Sequence, residues 1–190
     1  MSRVIRAYAR SARLLFVAIA FLAGVVTAQT AGAATAKEID AQVNLAIEKF
    51  KKKAAAGEAV LGAAKGVLVF PNVIKAGFGI GGEYGEGALR IGGKSVDYYS
   101  TVAASIGFQL GAQSKAVFVV FMQDDALKEF RENNGWKVGV DGSVALIELG
   151  AGASLDTINY ETPIVGFIMT NAGLMFNATL EGAKFTKLVR

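Results

Sequence analysis

The chain has no cysteine and no histidine, and only two prolines and one tryptophan among its 190 residues. Without cysteine there are no disulfides, no thiolate nucleophile, no sulfur-ligated metal and no lipid-acceptor thiol at a bacterial lipoprotein cleavage site. Without histidine the Ser-His-Asp machinery and most zinc sites are excluded, and the commonest general base is missing. No acidic residue precedes Glu38, whereas Arg3, Arg6, Arg10 and Arg13 all do. The formal charge of +4 resides in those four arginines, because the rest of the chain holds 16 basic and 16 acidic residues. A balanced domain shows no basic field of the kind nucleic-acid binding needs, and no long-range steering towards an anionic surface. Any charged recognition must come from local clusters.

What the sequence does hold begins with an export segment. The four arginines form a positive n-region, Leu14 to Val26 form an apolar run, and small-residue sites follow at Ala31-Gly32-Ala33, Ala34-Thr35-Ala36 and, less cleanly, Val26-Thr27-Ala28. The apolar run is short of the ~20 residues that a membrane span requires. Residues 1–33 are expected to be a secretory signal and 34–190 one domain, placed in the bacterial periplasm. Roughly 155 residues bury about two thirds of their unfolded surface, so the domain needs no staple.

Past the signal, Thr35 and Glu38 stand at capping-box spacing. Ile39, Val43, Ala46, Ile47 and Phe50 then recur at helical spacing, predicting an amphipathic helix that ends in Lys49, Phe50, Lys51, Lys52 and Lys53. Either the apolar face packs onto a sheet and the lysines are a solvated end, or the helix lies on a membrane with its lysines at lipid phosphates. A short helix over 58–64 should join it to the core.

The stretch Lys65 to Ile91 is the expected centre of the fold. Gly66 to Phe70 reads as a buried strand that Pro71-Asn72 stops. From Gly77 to Tyr84 aromatic and aliphatic residues alternate with glycines, which predicts a strand with something flat against its glycine face. A tight turn is expected near Gly85–Gly87. Gly77, Gly79 and Gly82 spell a dinucleotide-type pattern, but the glycine-dense sequence after them opposes the helix that such a site requires. Glu83 and Glu86 resemble an acid/base pair only superficially: three residues apart on a strand, they point to opposite faces.

Three longer runs carry a family resemblance: AKGVLVFPNVIKAGFGIGGEYGEGAL, DYYSTVAASIGFQLGAQSKAVFVVFM and GLMFNATLEG. Together, over about Ala36 to Val189, they resemble the SYLF-domain family, lipid-binding modules found in eukaryotic endocytic adaptors and as exported bacterial proteins. The resemblance implies a phospholipid-binding, non-enzymatic α+β domain. The actin binding of eukaryotic members is not expected of a periplasmic protein.

Downstream, Arg90 to Lys94 reads as a hairpin turn and Val96 to Gln109 as a second long strand. The unalternating run Ala116 to Met122 predicts a strand buried on both faces. Asp124 and Asp125 should cap a helix over 126–133 with Leu127 and Phe130 inward. Strands are expected at 136–140, 144–154, 164–170 and 174–180, with Asp141-Gly142 as a hairpin signal. The Asn177-Ala178-Thr179 triplet formally permits glycosylation but falls within an expected strand.

The expected fold is α+β: an antiparallel, strongly curved or barrel-like sheet of about 7–9 strands with an N-terminal amphipathic helix and one or two short helices. The expected function is phospholipid binding at a membrane surface, with no cofactor, no metal and no nucleic acid. Candidate lipid contacts are Lys49, Phe50, Lys51, Lys52 and Lys53, with Lys65, Lys75 and Arg90 bracketing the central strands. The alternative is an envelope scaffold that self-associates through its glycine-rich sheet. A transmembrane barrel is disfavoured by the lack of alternation in Phe118 to Met122.

Overall fold

A computed structural model describes residues 33–54, 56–107, 113–147, 162–170 and 179–190, the side chains of 78–80 and 105–107 excepted. The expected signal segment, the expected strand at 174–180 up to residue 178, and Asn177 lie outside the described residues.

Helix α1 spans Ala36–Lys53. Thr35 caps it and Glu38 closes the capping box, its carboxylate accepting from both the Thr35 N–H and hydroxyl at 2.8 Å. Those bonds from Thr35 hold the Glu38 carboxyl below its ordinary range. Ile39, Val43, Ala46 and Phe50 are buried along one face. A second helix, α2, covers Gly57–Ala63 and buries Val60.

Strand β1 runs without interruption from Gly66 to Ile91. Pro71-Asn72 does not stop it. The register against β3 (Gln113–Phe121) shifts between Phe70 and Val73, so the two residues are absorbed as a bulge, where a missing ladder donor costs little. The first half of β1 pairs antiparallel with β3 and the second half with β2 (Lys94–Gly107). No tight turn occurs at Gly85–Gly87; both glycines are in the β1–β2 ladder, opposite Thr101 and Tyr99. They mark instead where the strand folds back over itself. A β-carbon on Gly85 would lie 2.8 Å from the Asn72 carbonyl oxygen, and one on Gly87 would collide with the Val69 carbonyl and the Phe70 ring. What lies against Gly85 and Gly87 is the other half of their own strand, which only a residue without a side chain admits.

Gly92 and Gly93, with φ of +56° and +78°, make the two-residue turn into β2, as expected from their positive φ requirement. After β3 comes α3 (Asp124–Glu132), which buries Leu127 and Phe130. Asp124 and Asp125 sit in its first turn, not at the cap, which is Gln123; they act through the helix dipole. Four short strands follow: β4 (Gly135–Lys137), β5 (Ala145–Leu146), β6 (Ile164–Met169) and β7 (Lys184–Leu188). The strand order is β4-β7-β2-β1-β3-β6-β5, and the sheet curls into a half-barrel. Asp141-Gly142 lies in a turn but joins no hairpin: β4 pairs with β7 and β5 pairs in parallel with β6, at opposite sheet edges. β7 was not expected from the sequence.

Both sheet faces are covered. Alternate residues of β3 divide between them: Ala116, Phe118 and Val120 pack with α1 and α2, while Val117, Val119 and Phe121 pack with α3, Trp136 and Phe185. The expected double-sided burial of this strand is observed.

Candidate functional site

Along α1, the residues of the buried face are joined to the sheet by aromatic packing. Phe50 is completely buried, its ring 4.5 Å from Phe118 and 5.2 Å from Phe167. Of the candidate lipid contacts, Phe50 therefore belongs to the core, and α1 has no spare apolar face to lay on a membrane. Polar contacts fix the same helix to the β1–β2 hairpin. Asp40 accepts from Ser95 Oγ at 2.5 Å and from Tyr98 Oη at 3.1 Å; burial, with Asp40 adding to it, raises the Tyr98 phenol.

Arg90 belongs to this joint as well. Its guanidinium donates to the Gly93 carbonyl at 2.9 Å and to Asn44 Oδ1 at 2.8 Å, and lies 3.8 Å from Asp40. It clamps the hairpin to the helix. Lys65 pairs with Asp124 of α3 at 3.5 Å, and Lys75 lies on β1 opposite Gln113. Of the three basic residues expected to bracket one head-group site, Lys65 is thus tied to α3 and Arg90 to α1.

The lysine run at the end of α1 is divided by the helical period. Lys51 pairs with Glu48 at 3.8 Å and lines, with Arg90, Ile47, Leu61 and Glu58, a cleft of about 490 Å³ between the two N-terminal helices and the hairpin. Lys49 lies on the other flank. There a cleft of about 370 Å³ opens between α1 and the β1–β3 bulge, lined by Gln42, Leu45, Lys49, Asn72, Lys115 and Met169 among others. Asn72 donates to Gln42 across this cleft at 2.9 Å and accepts from Ser114 at 3.3 Å. Lys115 is paired with Glu83 at 2.7 Å. No carboxylate is among the described residues that line the cleft. Leu45 stands at its rim, 72% exposed. The sequence reading missed Lys115, Asn72 and Leu45. Asn72 and Lys115 are 43 positions apart and meet only through the β1–β3 register, and Leu45 stands out only once the other helix apolars are buried.

Glu83 and Glu86 are largely enclosed, because β1 continues through them. Glu83 is taken up by Lys115. Glu86 accepts from Tyr84 Oη and from Arg190, both at 2.8 Å, and from the Ala34 N–H at 3.2 Å. Burial, reinforced by Glu86, raises the Tyr84 phenol. Gly77, Gly79 and Gly82 lie inside β1, so no helix begins there to face a phosphate. Among the described residues no group of acidic side chains is arranged to hold a metal, and no helix is long and apolar enough to cross a membrane.

Residues 102–188, from the second half of β2 through β7, match the family model described as Ysc84, Las17-binding protein actin regulator. Over these residues the chain is similar to the SYLF-domain family. No curated protein matches the chain. SYLF domains are associated with lipid and actin binding, and the chain fits a non-enzymatic binding role. The matched region supplies Lys115 and Met169, whereas α1 and the β1 bulge supply the opposite wall of the cleft from outside the match.

Proposed function

We propose that this protein is exported to the bacterial envelope and binds phospholipid head groups at a membrane surface, without catalysing a reaction. The observation that carries the reading is the cleft between α1 and the β1–β3 bulge. Lys49, the Glu83-paired ammonium of Lys115, two side-chain amides and a serine hydroxyl line it, no described lining residue is acidic, and an exposed leucine stands at the rim. That combination suits a phosphate with its ester groups while Leu45 enters the interfacial region. Each lysine near an anionic bilayer contributes about 1 kcal/mol. Export is supported by the arginine-rich n-region, the short apolar run and the small-residue sites after it. Actin, which the matched family's description names, is not met by an exported protein and is not carried over to this chain.

The test is vesicle flotation at low salt with phosphatidylcholine alone and with added anionic phospholipid. The protein should float with the anionic vesicles. Leu45→Glu and Lys49→Glu should each weaken binding about tenfold or more. Lys128→Glu, on α3 across the sheet, should leave it unchanged. Equal loss in all three variants, or no flotation of the parent protein, defeats the reading.

A second reading, self-association as an envelope scaffold, is favoured by the exposed Val102 and Val140 beside a cleft at the β2–β4 side. Concentration-dependent sedimentation without lipid, abolished by Val140→Asp, would support it over the first.

A further inference from the structure

Three small-residue sites in the sequence are compatible with removal of the export segment, and the fold discriminates between them. Ala34 precedes the capping residue of α1 and packs against the core on the α1 side of the sheet. Its backbone nitrogen donates to Glu86 Oε2 at 3.2 Å, while Oε1 of the same carboxylate takes Tyr84 and Arg190. The Glu86 side chain is only 12% exposed and that of Arg190 17%. One half-enclosed carboxylate thus gathers the start of the folded unit, its C-terminal residue and the return half of β1.

We propose that the chain is processed between Ala33 and Ala34, and that Glu86 is the socket for the new amino terminus. A peptidase of the export machinery adds water across the Ala33–Ala34 peptide bond. Ala33 leaves with the carboxylate, and Ala34 keeps the nitrogen, which takes up a proton. The uncharged N–H facing Glu86 Oε2 becomes an ammonium at hydrogen-bond distance, and a charge-assisted bond replaces a neutral one. The other two sites do not give this result. Cleavage after Ala36 removes Thr35 and with it the capping box of α1. Cleavage after Ala28 leaves Ala34 within the chain and puts the ammonium on Gln29, five residues upstream. Cleavage at Ala33 keeps the cap and places the charge at the carboxylate. The folded domain is then stabilised by the removal of its own export segment.

This inference depends on export but not on lipid binding, and its test has no lipid in it. The full chain is produced in a bacterium with a general secretion system, and the intact mass and first residues of the soluble product are read. The product should begin Ala34-Thr35-Ala36-Lys37. An unprocessed chain, or one beginning elsewhere, overturns the proposal. The product is then acetylated selectively at its α-amine. The acetyl amide keeps an N–H at Glu86 and loses only the charge. Acetylation should lower the melting temperature by about 2–4 °C. The same comparison in Glu86→Gln should show no difference. A product with the expected first residue whose melting temperature does not respond to acetylation overturns the socket, as does a response that persists in Glu86→Gln.

Discussion

The hydroxyl of Tyr99 is buried and has no hydrogen-bond partner among the described residues, while its ring packs 5.0 Å from Phe130. Burial, with the nearby Asp97 carboxylate adding to it, pushes its phenol up to about 12 from an ordinary value of 10.0. The raised value means that the folded state holds this proton more tightly than the unfolded chain does. Its contribution is fully present below pH 10 and is lost as pH rises towards 12. Replacing Tyr99 by Phe removes an unsatisfied polar group, so at pH 7 the variant should match the parent or exceed it by up to about 1 kcal/mol. Above pH 10 the parent should lose stability faster than Tyr99→Phe. Urea midpoints at pH 7, 9 and 11 check both statements, and a variant that weakens at pH 7 contradicts them. The residue itself was legible as a strand aromatic; its lack of a partner was not, because that depends on α3 closing over it.

Among the secondary-structure elements, β1 decides the architecture. Twenty-six residues form one strand. It crosses itself where Gly85 and Gly87 face Asn72 and Val69, which is what turns a flat meander into a half-barrel. Gly87→Ala sets a methyl group against the Val69 carbonyl, which is main chain and cannot rotate away. The cost should be about 2–4 kcal/mol, within the range for overpacking at a rigid site. Thermal melts followed by circular dichroism measure it, and a melting temperature within a degree of the parent's would show that the crossing is loose. The glycine alternation from Gly77 to Tyr84 predicted a close approach, and the approach is seen further on, at Gly85 and Gly87, where a turn was expected. It did not say which surface approaches, because a period of two gives the faces of a strand and carries no information on what lies against them. For the same reason Pro71-Asn72 reads as a stop in isolation and is a bulge in the fold. The hairpin at Gly92-Gly93 was readable, since two consecutive positive φ values have few other residue solutions. β7 was missed because its single deeply buried residue, Phe185, sits among charged neighbours in a five-residue segment.

In the described domain from Ala34 onward, the sheet is packed on both faces, and Phe50 joins the helical layer to it. Its truncation leaves a void against Phe118 and Phe167. Phe50→Ala should cost about 3–5 kcal/mol and lower the melting temperature of helix and sheet signals together. Separate transitions at 222 nm and in tryptophan fluorescence, which reports Trp136 on the opposite face, would show that the two layers are independent. This whole-molecule coupling is also why the lysines of α1 and the exposed Leu45 are the lipid-facing candidates and its buried apolar face is not.

By itself the sequence determined the chemistry that the protein does not have, the α+β class, the capped helix α1, the doubly buried strand β3 and the SYLF resemblance. The resemblance rests on the three longer runs taken together; the others follow from composition and local periodicity, which are properties of neighbouring residues. The tertiary structure alone decided that β1 folds over itself, that Lys49 and Lys115 line one cleft while Lys51 and Arg90 line another, and that Glu86 collects Ala34 and Arg190. Each of these joins positions dozens of residues apart through strand register and sheet curvature, and no local pattern encodes where a distant backbone will cross.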